Sequence, residues 1–318
     1  MEKELINYQQ REYSMLPPGT TDEKLISMWL RDSTQSTKDA YRIDIEQFLS
    51  SAGETIQGIR LDHLQNFKDE LEDLGLQPST TARKLKAVKS LLSFAKKTGH
   101  TPFNVGVMIK LPKMKEELAE RILTEEQALE MIHLEKQHNQ RNYVLLRLMY
   151  ATGARVSEIC KLKWRDIHTR GETGQVTLFG KGEKTRHVIL KHETYNVLTN
   201  YRQGASDDEY VFKSRGGGKG HAGSSLDESQ VFRIVEAAAI RANIATYQAT
   251  QKRKGVIARV TRSRVSPHWW RHAHASHALE NGASIILVKE TLGHKSIDTT
   301  TQYTHVHPDK SSAQHLKV

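Results

Sequence analysis

The feature that most constrains this chain is a lapse of helical periodicity between Asn104 and Glu117, centred on Leu111-Pro112-Lys113-Met114-Lys115. Before it lie only amphipathic helical stripes; after it, helical and strand-like patterns mix, so two folding units are expected. A chain of 318 residues has the length for two domains of ordinary size. The expected division is a flexible tail over 1–20, a helical domain over 21–112, a linker over 113–117 and a second domain over 118–318. The tail ends in Leu16-Pro17-Pro18-Gly19-Thr20, which cannot continue a helix.

Four helices are expected in the first domain. Leu25, Ile26, Trp29 and Leu30 mark one stripe, and Tyr41, Ile45, Phe48 and Leu49 a second behind Thr37 as its cap. Leu61, Leu64, Phe67, Leu71 and Leu74 form a third, stopped at Gly75, and Leu85, Val88, Leu91, Leu92 and Phe94 a fourth after Ser79-Thr80. The fourth carries Arg83, Lys84, Lys86, Lys89, Lys96 and Lys97 with no acid between them. Such a face suits a phosphate backbone; the alternative is a solvated helix surface.

The second domain begins with Thr124-Glu125-Glu126-Gln127, a capping-box pattern, followed by the apolar run Tyr143 to Tyr150. Gln175 to Phe179 and Arg186 to Leu190 read as two strands joined by the glycine-bearing turn Gly180 to Thr185. A third short strand is expected at Tyr210-Val211-Phe212, a helix over 228–242, and at least one helix pair over 273–293. The run GGGKG from Gly216 to Gly220 lacks the spacing of a phosphate-binding loop and reads as a mobile connection.

Composition narrows the function classes. With 37% hydrophobic and 26% charged residues, the chain has apolar material for a core but no apolar run that would span a bilayer. The opening MEKELINYQQREY has neither a basic nor an apolar signal region, so a cytoplasmic, nucleoid-associated protein is expected. Cys160 is the single cysteine, which excludes an internal disulfide framework. Lys plus Arg outnumber Asp plus Glu 47 to 37, a net charge of +10 that favours a polyanionic partner. His268, His272, His274 and His277 crowd together, yet there is no H-E-x-x-H and Arg271 sits among them, so no metal site is expected.

Two local patterns carry chemistry. Ala151 to Ile159 (ATGARVSEI) places Arg155 and Glu158 three residues apart behind a buried helix. His268-Trp269-Trp270-Arg271-His272 presents an imidazole and a guanidinium on one helical face, followed by Leu292-Gly293-His294 and by Tyr303 nine residues later. ATGARVSEI, Gly180-Lys181-Gly182 in a hairpin turn, HWWRH, LGH and TTQYTH, in this order, resemble the tyrosine recombinases (phage integrase family), including the bacterial Xer-type enzymes. The resemblance covers the chain beyond about residue 21.

It implies an N-terminal all-α SAM-like core-binding domain and a mainly α catalytic domain with a small antiparallel β-sheet, an α+β arrangement of the DNA breaking-rejoining type. It also implies site-specific cleavage and rejoining of double-stranded DNA through a 3′-phosphotyrosyl intermediate, without metal, ATP or any other cofactor. Arg155 and Arg271 match the family's two phosphate-binding arginines, whose planar forks stay charged at any working pH. His268 and His294 match its histidine positions, Lys181 its general acid for the leaving 5′-oxygen, and Tyr303 its nucleophile. Glu158 matches an acidic position that supports Arg155 from behind. A tetramer on two DNA sites, with possible accessory proteins and no membrane, completes what the family implies.

One stretch departs from the family pattern. Ile244 to His268 is enlarged and holds six basic residues from Lys252 to Arg264 without an acid, including Lys252, Arg253, Lys254, Arg262 and Arg264. An extra DNA-contacting hairpin or ordered loop is expected there, with the strand-like Val256-Ile257-Ala258; the alternative is a solvated insertion. Trp270 is expected in the core, while Trp269 is left between core and DNA. Fifteen residues follow Tyr303, a short tail in which Leu316 and Val318 would anchor any contact with a neighbour. Three alternatives stand at this point: relaxation of the type IB topoisomerase kind, a catalytically silent sequence-specific regulator, and a metal-dependent nuclease.

Overall fold

The computed structural model describes residues 15–112, 122–180, 185–216, 223–253, 256–294, 296 and 301, with backbone alone for 252–253 and 256–257. The linker at 113–117 and the greater part of the 1–20 tail therefore lie outside the described residues. The chain divides into two compact units, Met1–Lys115 and Glu116–Val318.

Among the described residues the first unit holds four α-helices: α1 (Asp22–Leu30), α2 (Gln35–Ala52), α3 (Leu61–Asp73) and α4 (Pro78–Lys97). Thr21 caps α1, its hydroxyl accepting the Lys24 N–H at 3.3 Å. Helix α2 starts a turn earlier than expected: Thr34, not Thr37, is its N-cap residue, because the Thr34 carbonyl already accepts the Lys38 N–H. Pro78 opens α4 at a position where its missing N–H costs nothing. Helix α4 touches each of the other three and delivers Leu85, Val88, Leu91 and Leu92 to a core shared with Leu25, Ile45, Phe48 and Phe67. Each such fully buried side chain contributes about 1.5–3 kcal/mol.

The expected basic face of α4 is smaller than its sequence. Lys84 is buried, with Nζ donating to Asp44 Oδ1 at 3.0 Å and to Gln47 Oε1 at 2.7 Å. Arg83 closes its fork on the same Asp44, and Lys89 donates to the Ile109 carbonyl at 2.6 Å. Helix α2 supplies the acid that α4 lacks, so Lys84 is withdrawn from the face expected to meet phosphate, while Lys86 stays exposed.

Among the described residues of the second unit, α5 (Glu125–His138), α6 (Gln140–Thr152) and the short α7 (Val156–Lys161) come first. The Thr124 capping box forms: its hydroxyl and the Gln127 side chain each accept the other's backbone N–H at 3.1 Å. Strands β1 (Ile167–Arg170), β2 (Thr173–Phe179) and β3 (Thr185–Leu190) make an antiparallel sheet in that order, with Val176 opposite Val188 and Leu178 opposite Arg186. The third strand is thus Ile167–Arg170 and not Tyr210-Val211-Phe212. Val211 and Phe212 are buried, but their backbone bonds run to Leu162 and Leu226 in loops, and Tyr210 makes only an isolated bridge to Lys163.

Helices α8 (His192–Arg202) and α9 (Glu228–Arg241) follow, then the hairpin β4 (Thr246–Arg253) and β5 (Val256–Ser263), α10 (Pro267–Glu280) and α11 (Ile285–Leu292). The enlarged stretch is therefore a two-stranded ribbon, anchored on α9 where Arg262 Nε donates to Glu236 at 2.5 Å. The glycine run beyond Gly216 lies outside the described residues. One core joins Leu145, Leu146, Met149, Val176, Phe212, Val235 and Trp270, with Trp269 half-buried against it, so both tryptophans pack inward. No helix among the described residues is long and apolar enough to cross a membrane.

Candidate active site

The site starts at the end of α6. Gly153 closes that helix in the left-handed region, φ 57°, with its N–H donating to the Met149 carbonyl at 2.9 Å. A Cβ there would stand 2.6 Å from Leu292 Cδ2 and 2.8 Å from His274 Cδ2. Glycine is therefore needed twice, for the turn and for the close seating of α6 against α10 and α11.

Two residues later Arg155 turns the chain into α7. Its backbone N–H donates to Glu158 Oε2 at 2.7 Å and its Nη1 to Oε1 at 3.2 Å. Glu158 is buried, and a second cation reaches it from β3: Arg186 Nη1 and Nη2 donate to Oε1 and Oε2, both at 2.7 Å. Arg186 Nε donates to the Thr291 carbonyl at 2.6 Å, so this one fork joins β3, α7 and the end of α11. Burial works to raise the Glu158 carboxyl, but the hydrogen bonds and charge of Arg186, with those of Arg155, outweigh it and hold the group below its ordinary value.

Helix α10 opens behind Ser266 with Pro267 at its first position, placing His268 on the exposed first turn, its ring stacked 5.0 Å from that of His272. One turn on, Arg271 is 3% exposed, with Nη1 donating to the Gly153 carbonyl and Nη2 to the Leu292 carbonyl, each at 2.6 Å. The guanidinium thereby ties α10 to the ends of α6 and α11. His274 Nδ1 donates to the Tyr150 carbonyl at 2.8 Å and fixes the same junction from the other side. His294 follows Gly293, which ends α11 at φ 66°.

Arg155, His268 and Arg271 line one cavity of about 220 Å³, together with Ser157, Glu228 and Phe232. Its electrostatics knit in His294: burial first, then the charges of Arg271, Arg155, Arg186 and His268, push that imidazole down to about 4. His268 is lowered by burial, Arg271 and Arg155, against its own backbone hydrogen bond. Cations of both arginine motifs thus converge on two histidines held neutral, an arrangement that takes up an anion and donates hydrogen bonds to it.

Lys181, Tyr303 and Lys254 lie outside the described residues, as do Leu316 and Val318; Lys252 and Arg253 lie in β4. Arg262 is engaged with Glu236, and Arg264 lies over the Tyr247 ring at 5.9 Å, so these two expected DNA contacts already have partners in the fold. Sequence reasoning missed Arg186. Its only signal was a cation at the second residue of the strand after the Gly180–Thr185 turn, and nothing local ties it to Glu158, 28 positions away. Among the described residues no three His, Cys, Asp or Glu side chains gather as metal ligands.

Comparison with known proteins supplies the lineage. The model of the phage integrase family matches residues 121–310, and that of the phage integrase N-terminal SAM-like domain matches residues 27–99. A tyrosine recombinase XerC of Corynebacterium glutamicum is 31% identical over 275 residues, covering 85% of this chain and 82% of that protein. A tyrosine recombinase XerD of Staphylococcus epidermidis is 29% identical, covering 86% and 88%. Among solved structures, XerH recombinase bound to its difH substrate aligns with TM-score 0.67 at 20% identity, covering 93% of this chain and 83% of that one. A lambda integrase dimer bound to a core site aligns with TM-score 0.68 at 15% identity, covering 91% and 95%. These likenesses show the fold, and the family models with the relatives show the lineage: this chain belongs to the phage integrase family, as a tyrosine-type site-specific recombinase.

Proposed function

We propose that the chain cuts and rejoins double-stranded DNA at a specific site, with Tyr303 as nucleophile and Arg155, Arg271, His268, His294 and Lys181 as the groups acting on the scissile phosphate. The observation that carries this reading is the single cavity lined by Arg155, His268 and Arg271, drawn from two motifs more than a hundred residues apart. A phenol attacking phosphorus expels the 5′-oxygen and leaves a 3′-phosphotyrosyl link, and a 5′-hydroxyl later reverses the step. The bond energy is conserved, so ATP has no part to play.

Arg155 and Arg271 would neutralise charge on the nonbridging oxygens, and because both forks are fixed before substrate arrives, little reorganisation is needed. His268 and His294, neutral in the free protein, would donate to the same oxygens, and a bound phosphate anion would raise their affinity for protons. Lys181, which lies between β2 and β3 in the sequence, would protonate the leaving oxygen, and Glu158 with Arg186 would hold Arg155 in place. The DNA contacts would come from Arg83, Lys86 and Lys89 of α4 and from the tip of the β4–β5 ribbon. Self-association as a tetramer on two sites, accessory proteins and a nucleoid location belong to the same reading. The named relatives are recombinases, which gives no support to a relaxation-only enzyme or a silent regulator.

The test is to incubate wild type and Tyr303→Phe with fragmented, nicked DNA in chelator and look for protein-linked DNA on a denaturing gel. Wild type is expected to form a covalent 3′ adduct and the variant to bind without forming one; an adduct in both would unseat Tyr303. Neutralising Lys252, Arg253 and Lys254 together is expected to weaken DNA binding and reduce the salt slope by up to about 3, at roughly 0.9 per phosphate contact. An unchanged slope would remove the ribbon tip from the DNA interface.

A further inference from the structure

A second cationic site lies in the second unit, away from the cavity just described. Arg141, Arg215, Arg233 and Arg241 converge on a cleft of about 400 Å³, with His138 and Gln230 at its margin and no carboxylate in its lining. Four guanidinium groups around one concavity repel one another unless acids or a bound anion compensate. Among the described residues Arg241 alone of the four meets a carboxylate, donating to the buried Glu135. Arg141 is oriented by neutral acceptors, with Nη1 on the Lys213 carbonyl at 3.1 Å and Nη2 on Asn142 Oδ1 at 3.2 Å. Among the described residues Arg215 and Arg233 meet no carboxylate, and both are exposed. The repulsion registers on Arg141, whose guanidinium is lowered from its ordinary value by burial and then by the charge of Arg215.

The cleft is not an extension of the candidate active site. Gln230, Arg233, Ala237 and Arg241 fall at helical spacing on one face of α9, whereas Glu228 and Phe232 on the opposite face line the active-site cavity. Arg141 sits in the first turn of α6 and the active-site junction at its last, about 17 Å along the axis at 1.5 Å per residue. The floor adds Leu226 and Ile234, apolar surface that a base or ribose would cover. Several planar forks gathered around one shallow depression fit a compact anion with several phosphates better than the continuous backbone of a duplex, which calls for a track of charges along a surface.

We infer that this cleft, formed by α5, α6, α9 and the loop residues Arg215 and Gly216, is a binding site for a small polyphosphate anion of the nucleoside di- or triphosphate class. Because α6 and α9 each reach from this cleft to the active-site cavity, occupancy would bear on both ends of the same helices.

The experiment is calorimetric titration of the full chain with pyrophosphate and with ATP, first without DNA and then in competition with a short duplex, repeated on Arg215→Gln/Arg233→Gln and on Arg155→Ala. Both glutamine substitutions are at exposed positions, and an unfolding midpoint within about two degrees of wild type would establish that the double variant folds. Wild type is expected to bind with one-to-one stoichiometry, the double variant at least tenfold more weakly, and Arg155→Ala within twofold of wild type. Three results would overturn the inference. These are no heat at millimolar ligand, equal weakening in Arg155→Ala, which would place the anion in the active site, or full displacement by a short duplex, which would make the cleft a DNA contact.

Discussion

Asp44 in the first unit and Glu158 in the second are both buried carboxylates holding two cations, yet they leave those cations in different states. On Asp44, Arg83 closes its fork on both oxygens while its neighbour Lys84 fills the remaining valence from within. Both charges join α2 to α4, Lys84 from within and Arg83 from an edge where 45% of its side chain stays open. On Glu158 the inner cation, Arg186, takes both oxygens, and Arg155 keeps a single side-chain contact with 42% of its side chain open. The same chemistry therefore fastens a fold in one place and poises a fork in the other. What decides is which cation takes the bidentate position. A carboxylate already satisfied by a structural arginine orients a second arginine without occupying it.

Replacing Asp44 with Ala should have the largest effect. It strands Lys84 as a buried, unpaired cation, and loss of one partner from a buried pair costs about 3–5 kcal/mol. Urea unfolding should show it, whereas a shift under 1 kcal/mol would mean that the cluster does not fasten the unit.

Gly153→Ala comes next. The left-handed backbone alone costs about 1–3 kcal/mol for a side-chain-bearing residue, and the added methyl would meet Leu292 and His274. DNA cleavage should fall further than DNA binding, since the shift acts on the seat of Arg155 and on the carbonyl that receives Arg271. Equal losses in the two assays would point to general unfolding instead.

Glu158→Gln should lower cleavage by about tenfold, the lower end of the range for removing a partner that orients a functional group. Binding should change little, because Arg155 keeps its charge. A variant with wild-type cleavage would show that Arg155 needs no support.

The smallest effect is on pH dependence. His294 is held down to about 4 in the fold, against about 6.5 in an unfolded chain. The folded state therefore binds fewer protons between these values, and the group's contribution turns unfavourable as pH falls from 6.5 towards 4. Wild type should lose stability more steeply over that window than His294→Asn, by a few tenths of a kcal/mol once solvent screening is allowed for. Glu158 runs in the same direction at lower pH: lowered in the fold, it stabilises above the ordinary carboxylate range, and that stability is lost as pH falls through that range towards its folded value. Parallel curves for wild type and His294→Asn would mean that His294 is not shielded from protons.

Much of this was legible one segment at a time. The stripe Leu85, Val88, Leu91, Leu92 announces α4, Thr124 and Gln127 announce the start of α5, and the glycine turn announces the β2–β3 pairing, because each rests on contacts within a few residues. Arg155, Glu158, His268 and Arg271 were legible as motifs, since chemistry of this kind constrains residue type and short spacing. Illegible were the contacts made at a distance. Lys84 read as a surface cation until α2 placed Asp44 against it, and Tyr210 to Phe212 read as a strand although no neighbouring strand takes up its backbone.

Sequence by itself determined the helical first unit, the mixed second unit, the basic balance and the residue types able to hold a phosphate, all of which follow from side-chain identity and local period. Tertiary structure alone decided that Arg186 would neutralise Glu158, that Arg271 would close on the Gly153 and Leu292 carbonyls, and which cations would be consumed by the fold. The reason is that a charge has no fixed role until its partners are chosen. Those partners lie tens to more than a hundred residues away, brought within hydrogen-bond range only by the packing of the core.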